Sequence, residues 1–113
     1  MNQLVTRTDK DGISTLELNR PQALNALSPS MFVELREHIE ALSLIKDEIG
    51  VVILSAAGKS FSAGNDLKAI QRGDRPPSTH YQAETLDLIE SMPQPVIAAV
   101  QGYCYTGALE LVL

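Results

Sequence analysis

An unbroken apolar run near the middle of the chain, IGVVILSAA (Ile49–Ala57), limits the fold more than any other feature. The run is partly β-branched and lacks the polar alternation of a strand with one wet face, a pattern typical of a strand buried on both faces. A second apolar run, PVIAAV (Pro95–Val100), is read in the same way. Strands of this kind indicate an α/β fold, in which helices cover both faces of a mainly parallel sheet.

The first part of the chain predicts a β-hairpin followed by an irregular link. Leu4–Thr8 and the segment GISTLELN are strand-like, and the pair Asp11-Gly12 between them is a strong hairpin signal. The link RPQALNAL follows, and Pro21 disfavours a helical conformation in the residue before it.

Two helices are predicted after the link. Ser28 is suited to cap a helix and Pro29 to occupy its first position, and an apolar stripe follows at spacings of three and four: Phe32, Leu35, Ile39 and Leu42. Tyr81–Ser91 is the second helix. The predicted order is therefore β-β-α-β-α-β-α, and because the chain ends on GALELVL without a capping glycine, we expect its last helix to be only begun.

Composition excludes several classes of function. The 113 residues make one domain or part of one, and the formal net charge of −5 argues against a general nucleic-acid binder. No apolar run approaches the ~20 residues that span a bilayer, and MNQLVTRTDK lacks the apolar core of a signal peptide, so we expect no membrane association and a cytoplasmic location. Cys104 has no metal-type spacing around it, so no metal site is expected.

Two similar turns follow the two apolar runs. SFSAGNDLKAI (Ser60–Ile70) and QGYCYTGALEL (Gln101–Leu111) both have a glycine near the start of a predicted helix. In a parallel sheet such turns emerge at one edge, and each can offer an unpaired backbone N–H at the positive end of a helix dipole. Two converging donors would form an oxyanion hole, worth about 3–4 kcal/mol per donor. The alternative is that the glycines serve turn geometry alone.

Glu110 adds a carboxylate to the second turn. It lies three residues after Gly107, so the two share a helix face. Buried beside an acyl group, Glu110 would serve as a general acid or base. The alternative is a first-turn glutamate that only complements the helix dipole. His38 and His80 fall on predicted helices away from both turns, and we expect them at the surface.

Three blocks of the chain resemble the N-terminal part of crotonases, the enoyl-CoA hydratase/isomerase superfamily: Leu18–Leu27, Ser55–Ile70 and Pro93–Leu111. The resemblance implies a ββα spiral with a mainly parallel sheet, and residues 1–113 would be the N-terminal portion of a single acyl-CoA-binding domain, truncated before the C-terminal helical region. It also implies that the backbone N–H groups of Asn65 and Gly107 hold the thioester oxygen of an acyl-CoA substrate, with Glu110 handling a proton or a water.

The resemblance further implies a groove for coenzyme A, which is part of the substrate, so no separate cofactor is expected. Its lining carries over to Ala23, Leu24, Ala63, Asp66, Leu67 and Lys68. The basic residues between Lys59 and Arg75 would suit the CoA phosphates, although a solvated helix face explains them equally well. A homo-oligomer is also implied.

Two departures from the family pattern limit what the resemblance implies. Thr106 and Ala108 stand where hydratases of the family typically have glycines, and the family domain is more than twice as long as this chain. The remainder carries the second acid/base residue and the helices that build trimers. Two rival interpretations therefore remain: a non-catalytic acyl-CoA-binding module and an inactive truncated fragment. The acyl chain and the reaction subtype are not assigned.

Overall fold

The computed structural model describes residues 3–105 and 107–112, and a four-stranded mixed sheet lies at its centre. The first two strands are antiparallel, and the second, third and fourth are parallel. Along the sheet the strands follow their order in the chain: β1 (Val5–Lys10), β2 (Ile13–Leu18), β3 (Val51–Ala56) and β4 (Val96–Ala98). The predicted α/β class with a mainly parallel sheet is therefore confirmed.

The hairpin turn between β1 and β2 has the predicted geometry. Asp11 and Gly12 both have left-handed backbones, with φ of 53° and 78°, and Lys10 pairs with Ile13 across the two-residue loop. Positive φ at both central residues defines the turn type whose twist matches that of the flanking strands. The first strand extends two residues beyond the predicted Leu4–Thr8 because this tight turn keeps the ladder paired up to Lys10.

Within the described residues four α-helices accompany the sheet, and the first begins at a serine cap and the second at an aspartate cap. Ser28 Oγ accepts a hydrogen bond from the Met31 N–H at 3.1 Å, which confirms the predicted helix start. The short second helix is missing from the predicted element order, but it begins in Ser60–Ile70, where a helix start was predicted. The helices are α1 (Pro29–Ser43), α2 (Leu67–Gln71), α3 (Tyr81–Glu90) and α4 (Gly107–Val112).

The core lies on one face of the sheet, where α1 and α3 pack. The predicted stripe of α1 is buried there, against Leu16, Val52 and Leu54. The prediction that β3 and β4 are buried on both faces is wrong: the exposed fraction of Ile97 is 56%, and Ile53, its partner across the ladder, is only half-buried. No element in residues 3–105 or 107–112 covers this second face of β3 and β4.

The link between β2 and α1 is fixed by a buried asparagine. A 3₁₀ turn covers Pro21–Ala23, after which Leu24 and Asn25 have left-handed backbones, with φ of 52° and 51°. Asn25 Oδ1 accepts a hydrogen bond from the Arg20 N–H at 2.7 Å, and its Nδ2 donates to the carbonyls of Ala57 at 2.7 Å and Ser60 at 3.0 Å. This side chain therefore ties the link to the chain that leaves β3. Among the described helices, none is long and apolar enough to cross a membrane.

We expect Asn25→Ala to lower the free energy of unfolding by about 3 kcal/mol, because one buried and two part-buried backbone groups would lose their partner and alanine strains a left-handed backbone. Urea unfolding measures this. Asn19→Ala is the matched control, since Asn19 Nδ2 makes an exposed 3.3 Å bond to the Gln3 carbonyl and its loss should cost less than about 1 kcal/mol. Equal effects of the two substitutions would contradict the role given to Asn25.

Candidate functional site

The two glycine-containing turns lie side by side, as expected for one edge of a parallel sheet. Beyond β3 and β4 the chain continues in parallel pairing: the Ser62 N–H donates to the Tyr103 carbonyl at 2.9 Å, and the Tyr105 N–H donates to the Ser62 carbonyl at 3.3 Å. The Ala108 N–H then donates to the Tyr105 carbonyl at 2.9 Å and closes the start of α4. The beginning of α4 is therefore held directly beside the segment that leads to Asn65.

The backbone N–H of Asn65 points away from the Leu27 segment. The Leu27 N–H donates to the Gly64 carbonyl at 2.7 Å, and the Asp66 N–H donates to the Leu27 carbonyl at 3.0 Å. Because these two flanking groups bond to one side, the N–H of Asn65 itself points to the other side. Gly64 has φ of 97°, which glycine adopts without strain. In the described part of the chain, the Asn65 N–H has no hydrogen-bond acceptor.

Gly107 is described only as the first residue of α4. Its hydrogen bonds lie outside what the structure describes. That the Asn65 and Gly107 N–H groups face one cavity therefore stays a prediction, supported by the neighbouring positions of the two turns.

Asp66 caps α2 and is paired with an arginine. Its Oδ1 accepts from the Ala69 N–H at 3.0 Å, and its Oδ2 lies 2.6 Å from Arg20 Nη1. Burial of the carboxylate raises its pKa, but the Ala69 bond, the Arg20 bond and the positive charges of Arg20 and Arg72 together outweigh burial, so the pKa of Asp66 lies below its usual 3.8. Asp66 therefore stays ionised at neutral pH and shapes the groove around it.

A groove of about 400 Å³ gathers most of the residues predicted to bind CoA. Its lining consists of Arg20, Gln22, Ala23, Leu24, Ala26, Asn65, Asp66, Leu67, Lys68 and Arg72. Of the predicted set, Ala63 alone is not among the described lining residues, and its N–H instead donates to the Leu24 carbonyl at 2.9 Å behind the groove. The sequence analysis missed Arg20, whose place in the link gave no sign that it would reach Asp66, forty-six residues away.

Two further cavities lie between the groove and Glu110, and the first of them shares Asn65 with the groove. Asn65 also lines a mostly apolar cavity of about 150 Å³, which includes Phe32 and Tyr81. Thr79 and Gln82 line both that cavity and a further one of about 260 Å³, which contains Glu110. Three cavities that share lining residues therefore lie one after another, from the Arg20 groove past Asn65 to Glu110, and this series is named here the site track.

Glu110 is exposed in the first turn of α4, so the alternative that buries its carboxylate is not what the structure shows. A larger cavity of about 570 Å³ lies on its other side, between α3, β4 and α4. The two cavities share Glu110 and Leu86, and of the two the smaller one shares lining residues, Thr79 and Gln82, with the cavity beside Asn65. His80 is exposed as predicted, but it lines the same smaller cavity as Glu110 and so is not away from the second turn. His38 is half-buried rather than at the surface, because its Nε2 lies 3.2 Å from the Val5 carbonyl.

The chain is similar to known proteins over nearly its whole length. The enoyl-CoA hydratase/isomerase family model matches residues 8–113. The crotonyl-CoA hydratase of Syntrophomonas wolfei is 33% identical over 110 residues, 92% of this chain and 41% of that protein. The mitochondrial enoyl-CoA hydratase of Pongo abelii is 33% identical over 112 residues, 95% of this chain and 37% of that protein. The chain thus spans about two fifths of the length of these relatives.

Solved structures show the same fold. An enoyl-CoA hydratase/carnithine racemase from Magnetospirillum magneticum is 36% identical with a TM-score of 0.84, covering 99% of this chain and 44% of that one. An enoyl-CoA hydratase from Mycobacterium tuberculosis is 32% identical with a TM-score of 0.82, covering 99% of this chain and 43% of that one. The crotonase-like fold implied by the sequence blocks is therefore confirmed.

Because the pKa of Asp66 is depressed in the folded chain, its stabilising effect is present above about pH 4 and is lost as pH falls below that value. We expect Asp66→Asn, which keeps a capping oxygen but loses the charge, to lower the free energy of unfolding by about 1–2 kcal/mol at pH 7. The difference from wild type should shrink near pH 3. Urea titrations at both pH values measure it, with the exposed Asp47→Asn as control. A difference that does not depend on pH would contradict this assignment.

Proposed function

Because the chain belongs to the enoyl-CoA hydratase/isomerase family, we propose that it binds an acyl-CoA thioester and stabilises the enolate that forms on it. The observation that carries this proposal is the site track, which runs from a groove with three basic side chains, past a free backbone donor, to a carboxylate. An acyl-CoA thioester matches this order, because its charged nucleotide would lie in the basic groove and its reacting acyl group would lie near the backbone donor and the carboxylate.

The basic end of the track suits the CoA phosphates. Lys68 and Arg72 have no ion-pair partner among the described residues, whereas Arg20 is partly neutralised by Asp66. The exposed side chains of Leu24 and Leu67 border the same groove and offer apolar surface to the nucleotide or the pantetheine arm. Phosphate is attracted to such unpaired cations, and binding there should weaken with salt.

The chemistry follows from Asn65 and Glu110. In the proposed complex the thioester oxygen accepts a hydrogen bond from the Asn65 N–H and, as a second donor, from the Gly107 N–H. Negative charge that develops on this oxygen in an enolate is stabilised by both. Glu110, at the far end of the track, exchanges a proton with the substrate or with an attacking water. Its exposure means that bound substrate, rather than the fold alone, would exclude water from it.

Several finer expectations remain proposals. They include residues 1–113 as the N-terminal portion of one acyl-CoA-binding domain, a role in fatty acid metabolism, and a homo-oligomer. Exposed apolar side chains at and after β4 (Ile97, Val100, Tyr103 and Tyr105) support the oligomer, and sedimentation of the chain as a single monomer would contradict it. The cytoplasmic location stays a prediction, since named relatives include mitochondrial and peroxisomal proteins.

We expect Lys68→Ala and Arg72→Ala each to weaken CoA binding about three- to tenfold at low salt, because each removes a cation beside the groove. Isothermal titration with CoA measures the affinity. Lys46→Ala removes an exposed cation outside the groove and should bind as wild type. The groove is not the nucleotide site if all three variants bind alike.

We expect Glu110→Gln to lower kcat about 10²–10⁴-fold with little change in KM, because the amide keeps the shape but cannot exchange a proton. Loss of absorbance of a short enoyl-CoA follows the hydration. Glu90→Gln is the matched control, since Glu90 is exposed and lines only the larger cavity beyond Glu110.

Three outcomes separate the interpretations. If the Glu110→Gln variant hydrates the substrate at the wild-type rate, Glu110 only complements the helix dipole and takes no part in proton transfer. Tight CoA binding without any hydration by the wild-type protein would favour the non-catalytic acyl-CoA-binding module. Neither binding nor hydration would favour the inactive fragment.

A further inference from the structure

One side-chain hydrogen bond joins the Asn65 turn to α3. Asn65 Nδ2 donates to Gln82 Oε1 at 2.9 Å. Gln82 is half-buried, and it lines both the apolar cavity beside Asn65 and the cavity that contains Glu110. A residue in the middle of the site track is therefore bonded to Asn65, whose backbone N–H is the proposed donor.

The first turn of α3, where Gln82 lies, is itself firmly attached to α1. The guanidinium carbon of Arg36 lies 3.7 Å from the centre of the Tyr81 ring. Arg36 Nε donates to Thr85 Oγ1 at 2.9 Å, and its Nη2 donates to the Tyr81 carbonyl at 2.9 Å. Tyr81 and Thr85 are both buried. Gln82 thus extends from a rigid support, which is what a positioning group needs.

The Asn65 backbone needs such support on one side. The Gly64 carbonyl and the Asp66 N–H are bonded to Leu27, and the Gly64 N–H is bonded to Ser62 Oγ, so the backbone is fixed on the Leu27 side. The side-chain bond to Gln82 is the described contact that restrains Asn65 from the direction of the cavities. Without it, the bond from the Leu27 N–H to the Gly64 carbonyl still sets the orientation of the Asn65 peptide, but no described side-chain bond holds the turn at a fixed distance from α3.

We infer that Gln82 is a positioning residue for the Asn65 N–H: it holds the Asn65 side chain and so keeps the backbone donor aimed into the site track. This inference rests on the proposed function, in which that N–H stabilises the thioester oxygen. Gln82 acts through Asn65 and forms no bond with the substrate in this assignment. Because the bond is solvent-exposed, its loss lowers the fraction of molecules with an aligned donor by about two- to fivefold.

The test is a double-mutant cycle on the purified protein with Gln82→Met, Asn65→Ala and the two combined. Both substitutions break the side-chain bond, and both keep the Asn65 peptide N–H. Each single variant should lower kcat for a short enoyl-CoA about two- to fivefold with KM changed less than twofold, and the double variant should match the singles. Gln71→Met is the matched control at an exposed glutamine outside the described cavities, and its kcat should equal that of wild type.

A second readout reports polarisation of the carbonyl directly. An enoyl-CoA conjugated to an aromatic ring absorbs at longer wavelength when its carbonyl oxygen is hydrogen-bonded, and Gln82→Met should reduce this shift while the melting temperature stays within about 3 °C of wild type. The inference about Gln82 would be overturned if Gln82→Met leaves the wild-type absorbance shift unchanged. It would also be overturned if the effects of the two single substitutions on kcat multiply in the double variant. Neither result would contradict the proposed function. A wild-type protein that does not shift the probe would overturn the proposed function and the inference together.

Discussion

The buried Asn25 side chain is the interaction on which the site depends most. Its three hydrogen bonds fix the link after β2 against the chain that leaves β3. Its own carbonyl accepts from Ser62 Oγ at 2.7 Å, and that oxygen accepts from the Gly64 N–H at 3.1 Å. A polar network with every described member paired specifies one arrangement, since each unmade bond would be costly. The conformation of the Asn65 turn is therefore set from inside the protein.

The ion pair of Arg20 and Asp66 extends that arrangement to the groove. Arg20 begins in the link that Asn25 holds, and it reaches the carboxylate that caps α2. Burial opposes the ionised form of this carboxylate, and the bonds from the Ala69 N–H and from Arg20 together outweigh that effect. Within this pair the charges of Arg20 and Asp66 neutralise each other. The net cationic character of the groove consequently falls to Lys68 and Arg72.

The sequence was informative wherever a short segment determines its own conformation. Asp11-Gly12 predicted the hairpin, and Ser28-Pro29 predicted the start of α1, because turn and cap geometry depend on a few neighbouring residues. The two helix starts at one sheet edge followed from chain order. The open face around Ile97 could not be predicted, because an apolar strand shows the same pattern whatever covers it. The contact from Asn65 to Gln82 also escaped prediction, since it depends on how α3 docks on α1.

The departure of this chain from the family's glycine-rich pattern before Glu110 can be judged at one of its two positions. Ala108 is completely buried, and its N–H donates to the Tyr105 carbonyl within the first turn of α4. Among the described residues, the non-glycine positions with positive φ are Asp11, Leu24 and Asn25, so Ala108 has an ordinary helical backbone. A methyl group is therefore accommodated at this position without strain and adds apolar contact to the core. Thr106 lies outside the described residues. At Ala108, the departure is compatible with an intact turn beside Asn65, which removes part of the support for a binding module without catalytic activity.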